Sequence, residues 1–163
     1  MTLTLRPMNA ADAPLIFEIM RTAIRDGAGR FYTARQRAAW MPAILDGRPM
    51  PEAFAARLAP QAGWLASAGT DAVGFMTCEM NGHLDLAFVL PEWMGRGVAA
   101  RLHGAVLDWA CARDLSGLTT EASHFFQRFL LRHGWRLVAA ETLWRNGVAI
   151  DRFRMALTPK PRR

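Results

Sequence analysis

The chain has 163 residues, a hydrophobic fraction of 52%, an aromatic fraction of 10% and a formal net charge of +6. That length sustains one well-buried core and is short for two, the composition argues against disorder, and no apolar run reaches the roughly 18 residues of a membrane span. The positive excess suits nucleic acid or a small polyanion equally well.

Met1-Thr2-Leu3-Thr4-Leu5-Arg6 lacks a basic n-region and a long apolar stretch, so no secretory signal is expected and the expected setting is cytoplasmic. Leu3 to Arg6 alternates as a short strand. Asn9 and Asp12 offer capping side chains ahead of Ala13-Pro14, and Leu15, Ile16, Ile19, Met20 and Ala23 recur at helical spacing until Gly27 and Gly29. Tyr32 to Met41 reads as a second helix, stopped by Pro42, and Pro51 to Leu58 as a third. Trp64 to Ala68, Ala72 to Met80 and Leu84 to Leu90 read as strands, with Asn81-Gly82 as a hairpin turn.

After Pro91 the apolar period lengthens. Val98, Leu102, Ala105, Val106, Trp109 and Ala110 mark one face of a helix running to about Arg113. Leu118 to Ala122 is a strand, Ser123 caps a helix to about His133, and Gly134 ends it. Trp135 to Trp144 and Arg152 to Leu157 complete the strands. The order predicts an α/β fold with a mixed, mostly antiparallel central sheet flanked by helices, one domain over 1–159 and a basic tail over 160–163.

Cys78 and Cys111 are expected as buried thiols, without the spacing of a disulfide framework or zinc site. His103 and His133 fall on expected helix surfaces and, with Asp108 and Glu121, show no metal-ligand spacing, so no metal is expected. The basic residues are scattered without an aromatic-interleaved stripe, so neither nucleic acid nor membrane is expected as a partner.

The segment from Leu86 to Leu102 carries the most chemical information. A hydrophobic strand enters the turn Met94-Gly95-Arg96-Gly97-Val98-Ala99, and a helix begins at once. Glycine lets the backbone approach a ligand closely, and the first helical turn offers unpaired N–H groups and a partial positive charge. An anionic pyrophosphate fits there, although glycine turns before helices also serve plain packing. Gly95-x-Gly97-x-x-Ala100 mimics a dinucleotide fingerprint, but four residues separate the strand end from Gly95 and half the chain precedes it, so that context fails.

With Val89-Leu90-Pro91 ahead of the glycine turn, and Ser123 and Gly134-Trp135 around the last helix, the chain resembles the GNAT superfamily of acetyl-CoA-dependent N-acetyltransferases over nearly its whole length. Met94 stands where the family has Gln or Arg, and Leu130 where it often has the Tyr that protonates the departing thiolate. The resemblance implies acetyl-CoA as co-substrate, lying between the strand ending at Leu90 and the one starting near Leu118. Main-chain groups of Phe88, Val89 and Leu90 would hold the thioester, and Met94, Gly95, Arg96, Gly97, Val98, Ala99 and Ser123 the rest of the cofactor.

Phe125, Phe126 and Phe129 form either a wall against the pantetheine arm, the reading adopted for Phe129, or ordinary core. Tyr32, Gln36 and Trp40, at i, i+4 and i+8, resemble the acceptor border of one GNAT subgroup, and read equally as an amphipathic helix face. Direct attack by the primary amine of a small molecule, or less readily of a protein, needs a base. His83 and Asp85 share one strand face and are the candidates. The alternative is a non-catalytic CoA-binding domain of the same fold, and the resemblance implies a homodimer.

Overall fold

The computed structural model describes residues 2–42 and 47–160, so the end of the expected basic tail lies outside the described residues. Strands β1 (Leu3–Pro7), β2 (Ala62–Ala68), β3 (Asp71–Cys78) and β4 (Leu84–Val89) form an antiparallel sheet in that order. Strands β5 (Leu118–Ala122), β6 (Arg136–Arg145) and β7 (Val148–Leu157) form a second antiparallel sheet in the order β5-β7-β6.

The two sheets meet where β4 and β5 begin. One parallel bridge pairs His83 with Thr119. The Thr119 amide donates to the Gly82 carbonyl at 3.1 Å, and the Thr120 hydroxyl donates to the Leu84 carbonyl at 2.7 Å. Among the described residues no ladder joins β4 to β5 beyond these ties, and a gap opens between them.

Helix α1 (Ala13–Thr22) continues through a π-helical turn (Ala23–Gly27) and a 3-10 turn (Ala28–Arg30), an irregular exit where the glycines predicted a plain stop. Helix α2 spans Ala34–Trp40, because Thr33 and Gln36 form a capping box that fixes its start two residues after Tyr32. Helices α3 (Glu52–Leu58), α4 (Val98–Ala112) and α5 (His124–Arg132) follow their apolar patterns. Helix α5 ends on a left-handed glycine: Gly134 has φ +84°, and the Trp135 amide donates back to the Leu130 carbonyl, the longer bond of a Schellman motif.

Helices cover both faces of the first sheet. Ile16, Phe17, Ile24, Phe54 and Leu58 pack with Leu65 and Phe75, while Leu102, Val106 and Ala110 pack with Ala66, Met76, Leu118 and Met155. Fully burying each of the larger aliphatic side chains contributes about 1.5–3 kcal/mol. α4 lies close to β3, where a Cβ on Gly74 would come within 3.0 Å of Val98.

Several local expectations change. The two-residue hairpin is not at Asn81-Gly82, where Cys78 pairs with Leu84 and a loop over 79–83 intervenes. It is at Asn146-Gly147, flanked by the pair Arg145 and Val148, with φ of +50° and +74° as a type I′ turn requires. That turn lets β7 start four residues before the expected Arg152. His103 is buried, not on a helix surface, and its Nε2 accepts a hydrogen bond from the Trp135 indole at 2.9 Å. Cys78 is buried and its thiol is pushed up to about 12 by burial, whereas Cys111 is only partly buried.

Candidate active site

The glycine turn is built by backbone conformation. Gly95 and Gly97 have φ of +75° and +82°, the left-handed region that disfavours side chains, and a Cβ on either would meet nothing within 4 Å. Gly97 is the N-cap of the 15-residue α4, and no side chain caps that end. The first-turn amides therefore face an open cradle with the positive end of the helix dipole behind them. This geometry fits a pyrophosphate.

Beside the cradle, a cavity of about 410 Å³ runs along β4 toward α5. Val89, Met94, Gly95, Gly97, Val98, Ala99 and Phe129 line it. A second cavity of about 470 Å³ carries charged groups: Arg57, Asp85, Glu121, Arg145, Asp151 and Arg152. Tyr32, Trp40, Ala87, Phe88, Ser123 and Phe126 line both cavities, so the two meet in the gap between β4 and β5.

The expected cofactor residues divide in two. Phe88, Val89, Met94, Gly95, Gly97, Val98, Ala99, Ser123 and Phe129 line the first cavity; Leu90 and Arg96 do not. The Leu90 amide donates to the Val73 carbonyl at 2.9 Å. Consecutive amides point to opposite strand edges, so the Val89 amide faces the gap. Arg96 lies over the Trp93 ring at 5.2 Å. Ser123 caps α5, its hydroxyl accepting from the Phe126 amide at 3.2 Å. Phe126 and Phe129 stack with an interplanar angle of 9°, and both lie on the cavity wall.

Of the expected acceptor residues, Tyr32 and Trp40 remain neighbours, with ring centroids 5.4 Å apart, although Tyr32 precedes the helix. The Tyr32 hydroxyl accepts from the His124 amide at 3.0 Å and donates to the Asp151 carbonyl at 3.2 Å, which ties α5 to β7. Burial pushes its phenol above the ordinary value. Gln36 lines neither cavity. Its oxygen accepts from the Thr33 amide and its nitrogen donates to the Ala149 carbonyl at 3.0 Å, fixing α2 against β7.

Asp85 lines the second cavity, and His83 lines neither. Burial raises the Asp85 carboxyl, but hydrogen bonds from Arg57 at 2.8 Å and Gln61 at 2.7 Å outweigh it and hold the group below the usual carboxylate range. Asp85 is thus an ionised anchor for Arg57. The His83 ring bridges Thr119 and Glu121 of β5, at 2.9 and 2.8 Å. Asp151 and the Glu121 link to His83 have no signature in the sequence, because cross-sheet neighbours leave no local spacing. Leu130 is fully buried in the core, so the family's tyrosine position is filled here by packing.

The family model described as "Acetyltransferase (GNAT) domain" matches residues 30–157. The N-acetyltransferase YafP of Escherichia coli strain K12 is 27% identical over 156 residues, 96% of each chain. A crystal structure from Rhodopseudomonas palustris, described as a GCN5-related N-acetyltransferase (aminotransferase, class II), superposes with a TM-score of 0.84 at 28% identity, covering 97% of this chain and 96% of that one. yncA from Salmonella typhimurium, solved with its cofactor acetyl-CoA, shares the fold at a TM-score of 0.66 and 16% identity, covering 100% and 97%. The chain belongs to the GNAT acetyltransferase family and is an acyl-CoA-dependent acyltransferase. No helix among the described residues is long and apolar enough to cross a membrane.

Proposed function

We propose that this chain transfers the acetyl group of acetyl-CoA to a primary amine of a small molecule by direct attack in a ternary complex. The observation that carries this reading is the meeting of two chemically distinct cavities at Ala87, Phe88, Ser123 and Phe126. The first, with the glycine cradle at one end and apolar walls along its length, suits a pyrophosphate joined to a pantetheine arm. Gly95, Gly97, Val98 and Ala99 would hold the phosphates through backbone groups, which do not depend on the side chain that Met94 replaces. The Val89 amide faces the gap and would hold the thioester carbonyl, with Phe126 and Phe129 against the arm.

In the second cavity Arg57 takes up Asp85 and Arg152 is drawn to Glu141, which leaves Glu121 and Asp151 as the carboxylates that would attract an ammonium group, between the aromatic walls of Tyr32, Trp40 and Trp144. Its volume lies in the range typical of small-molecule sites, which favours a small acceptor over a protein. Such an amine is protonated at neutral pH and must lose a proton before it attacks.

Thiol release from acetyl-CoA with a panel of primary amines (phenethylamine, cadaverine, ethanolamine and glycine) tests the reading. Turnover of at least one amine is expected, together with thermal stabilisation by acetyl-CoA alone. The buried Leu130 favours a second reading, a domain that binds CoA without turnover. Stabilisation by acetyl-CoA with no thiol release from any amine would support it instead.

A further inference from the structure

The imidazole of His83 sits between two side chains of β5 that stand two residues apart, and therefore on one face of that strand. Nδ1 is 2.9 Å from the Thr119 hydroxyl and Nε2 is 2.8 Å from Glu121 Oε2. This bridge lies where the two sheets part, at a parallel pairing between them. Glu121 lines the acceptor cavity two residues ahead of Ser123, which lines both cavities. His83 stands behind it, with its side chain 23% exposed. The three groups form a hydrogen-bonded chain from Glu121, itself 37% exposed at the rim of the acceptor cavity, through His83 to the exposed Thr119.

The surrounding charges have partners of their own. On β4, Asp85 is held by Arg57 of α3. On β7, Arg154 lies directly opposite Glu121 in the strand register but is 2.6 Å from Glu141, and Arg152 is 3.0 Å from the same carboxylate. His83 is the basic group set directly against Glu121.

We propose that Glu121 is the general base of the acetyl transfer and that His83, oriented by Thr119, is the positioning residue that relays its proton; this rests on the amine-acetylation reading. One N–H bond of the ammonium breaks, and its proton forms an O–H bond on the Glu121 carboxylate, leaving the amine lone pair free to attack the thioester carbonyl. The new carboxylic acid passes that proton to Nε2 of the tautomer whose Nδ1–H donates to Thr119, and the imidazolium releases its Nδ1 proton to water. The attacking nitrogen sheds a second proton as the C–S bond breaks, and the thiolate takes it up, so the products are amide, thiol and one released proton. His83 thus moves from candidate base to the base's partner, and Asp85 stays an anchor.

The test is the pH-rate profile of thiol release, with the amine of the panel that the wild type acetylates fastest, for wild type, Glu121→Gln, Glu121→Asp and His83→Asn. Glu121→Gln is expected to lower kcat/KM about 100-fold at neutral pH, the lower end of what general base catalysis supplies. The deficit should close as pH rises toward the amine's own pKa, about 10 for an alkylamine, where deprotonation needs no help. A merely structural defect would persist at every pH. Glu121→Asp should recover part of the loss, and His83→Asn should lower kcat while KM for acetyl-CoA stays unchanged. Glu121→Gln activity within about threefold of wild type at neutral pH, or a deficit independent of pH, overturns the relay and leaves the amine reading standing. Absence of thiol release by the wild type with every amine overturns both.

Discussion

Gly82 and Gly97 both have positive φ, +95° and +82°, but their surroundings differ. A Cβ on Gly82 would lie 2.6 Å from the Gly117 carbonyl oxygen, a backbone atom that cannot swing away, whereas one on Gly97 would meet nothing within 4 Å. Gly97→Ala is therefore expected to cost about 1–2 kcal/mol, the left-handed penalty alone. Gly82→Ala carries the same penalty plus about 1–3 kcal/mol of overpacking. The order should reverse for ligand binding. Gly97→Ala places a methyl group in the phosphate cradle and should abolish most of the thermal shift given by acetyl-CoA, while folded Gly82→Ala should keep it. Urea denaturation and thermal shift on the same pair separate a fold glycine from a cradle glycine.

At the scale of elements, α5 joins stability to the site through its cap. Ser123 satisfies the Phe126 amide and borders both cavities. Ser123→Ala is expected to cost about 0.5–2 kcal/mol in urea denaturation and, by fraying the first turn, to raise KM for acetyl-CoA. The element pattern was legible where hydrophobic period and punctuation act locally. The apolar stripe of α4, the glycine cradle and the Ser123 cap are all written within a few neighbouring residues.

Features that depend on a distant partner were not legible. Asn81-Gly82 and Asn146-Gly147 are the same dipeptide, yet only the second makes a two-residue turn, because a loop and a register shift at Thr77 and Cys78 separate β3 from β4. Gln36 belongs to the helical face that suggested substrate contact, but Thr33 and Ala149 claim both ends of its amide. His103 looked like a surface residue until Trp135, 32 positions away, closed over it. The bond between His83 and Glu121 joins two sheets and has no signature along the chain.

Across the whole molecule, the response to acid includes two part-buried carboxylates set far apart in the fold, beside the exposed Asp26, which Arg25 also lowers. Asp12 is held below the usual range chiefly by its hydrogen bonds from Arg6, at 2.7 and 2.8 Å, with the Asn9 amide adding to them. Asp85 is lowered too, with Arg57 and Gln61 overcoming the opposite effect of burial. Both folded values lie below the unfolded ones, so the stabilisation is complete above about pH 4 and is lost as pH falls through the folded values. Melting temperature should be insensitive to these groups near neutrality and fall in acid below about pH 4. Asp12→Asn and Asp85→Asn should each start lower and lose less on acidification, which a pH series of thermal melts will show.

The bridge between His83 and Thr119 also has a consequence for the exposed edge of β4. Past that bridge, β4 leaves one row of backbone amides and carbonyls without a neighbouring strand, inside a cleft with aromatic walls. Such a row is a template for any extended chain carrying its own amides. The pantetheine arm is a chain of that kind, so acetyl-CoA would act as a surrogate strand as well as a donor. Its departure would reopen a sticky seam, and occupancy would then protect the fold from pairing with its own unfolded copies.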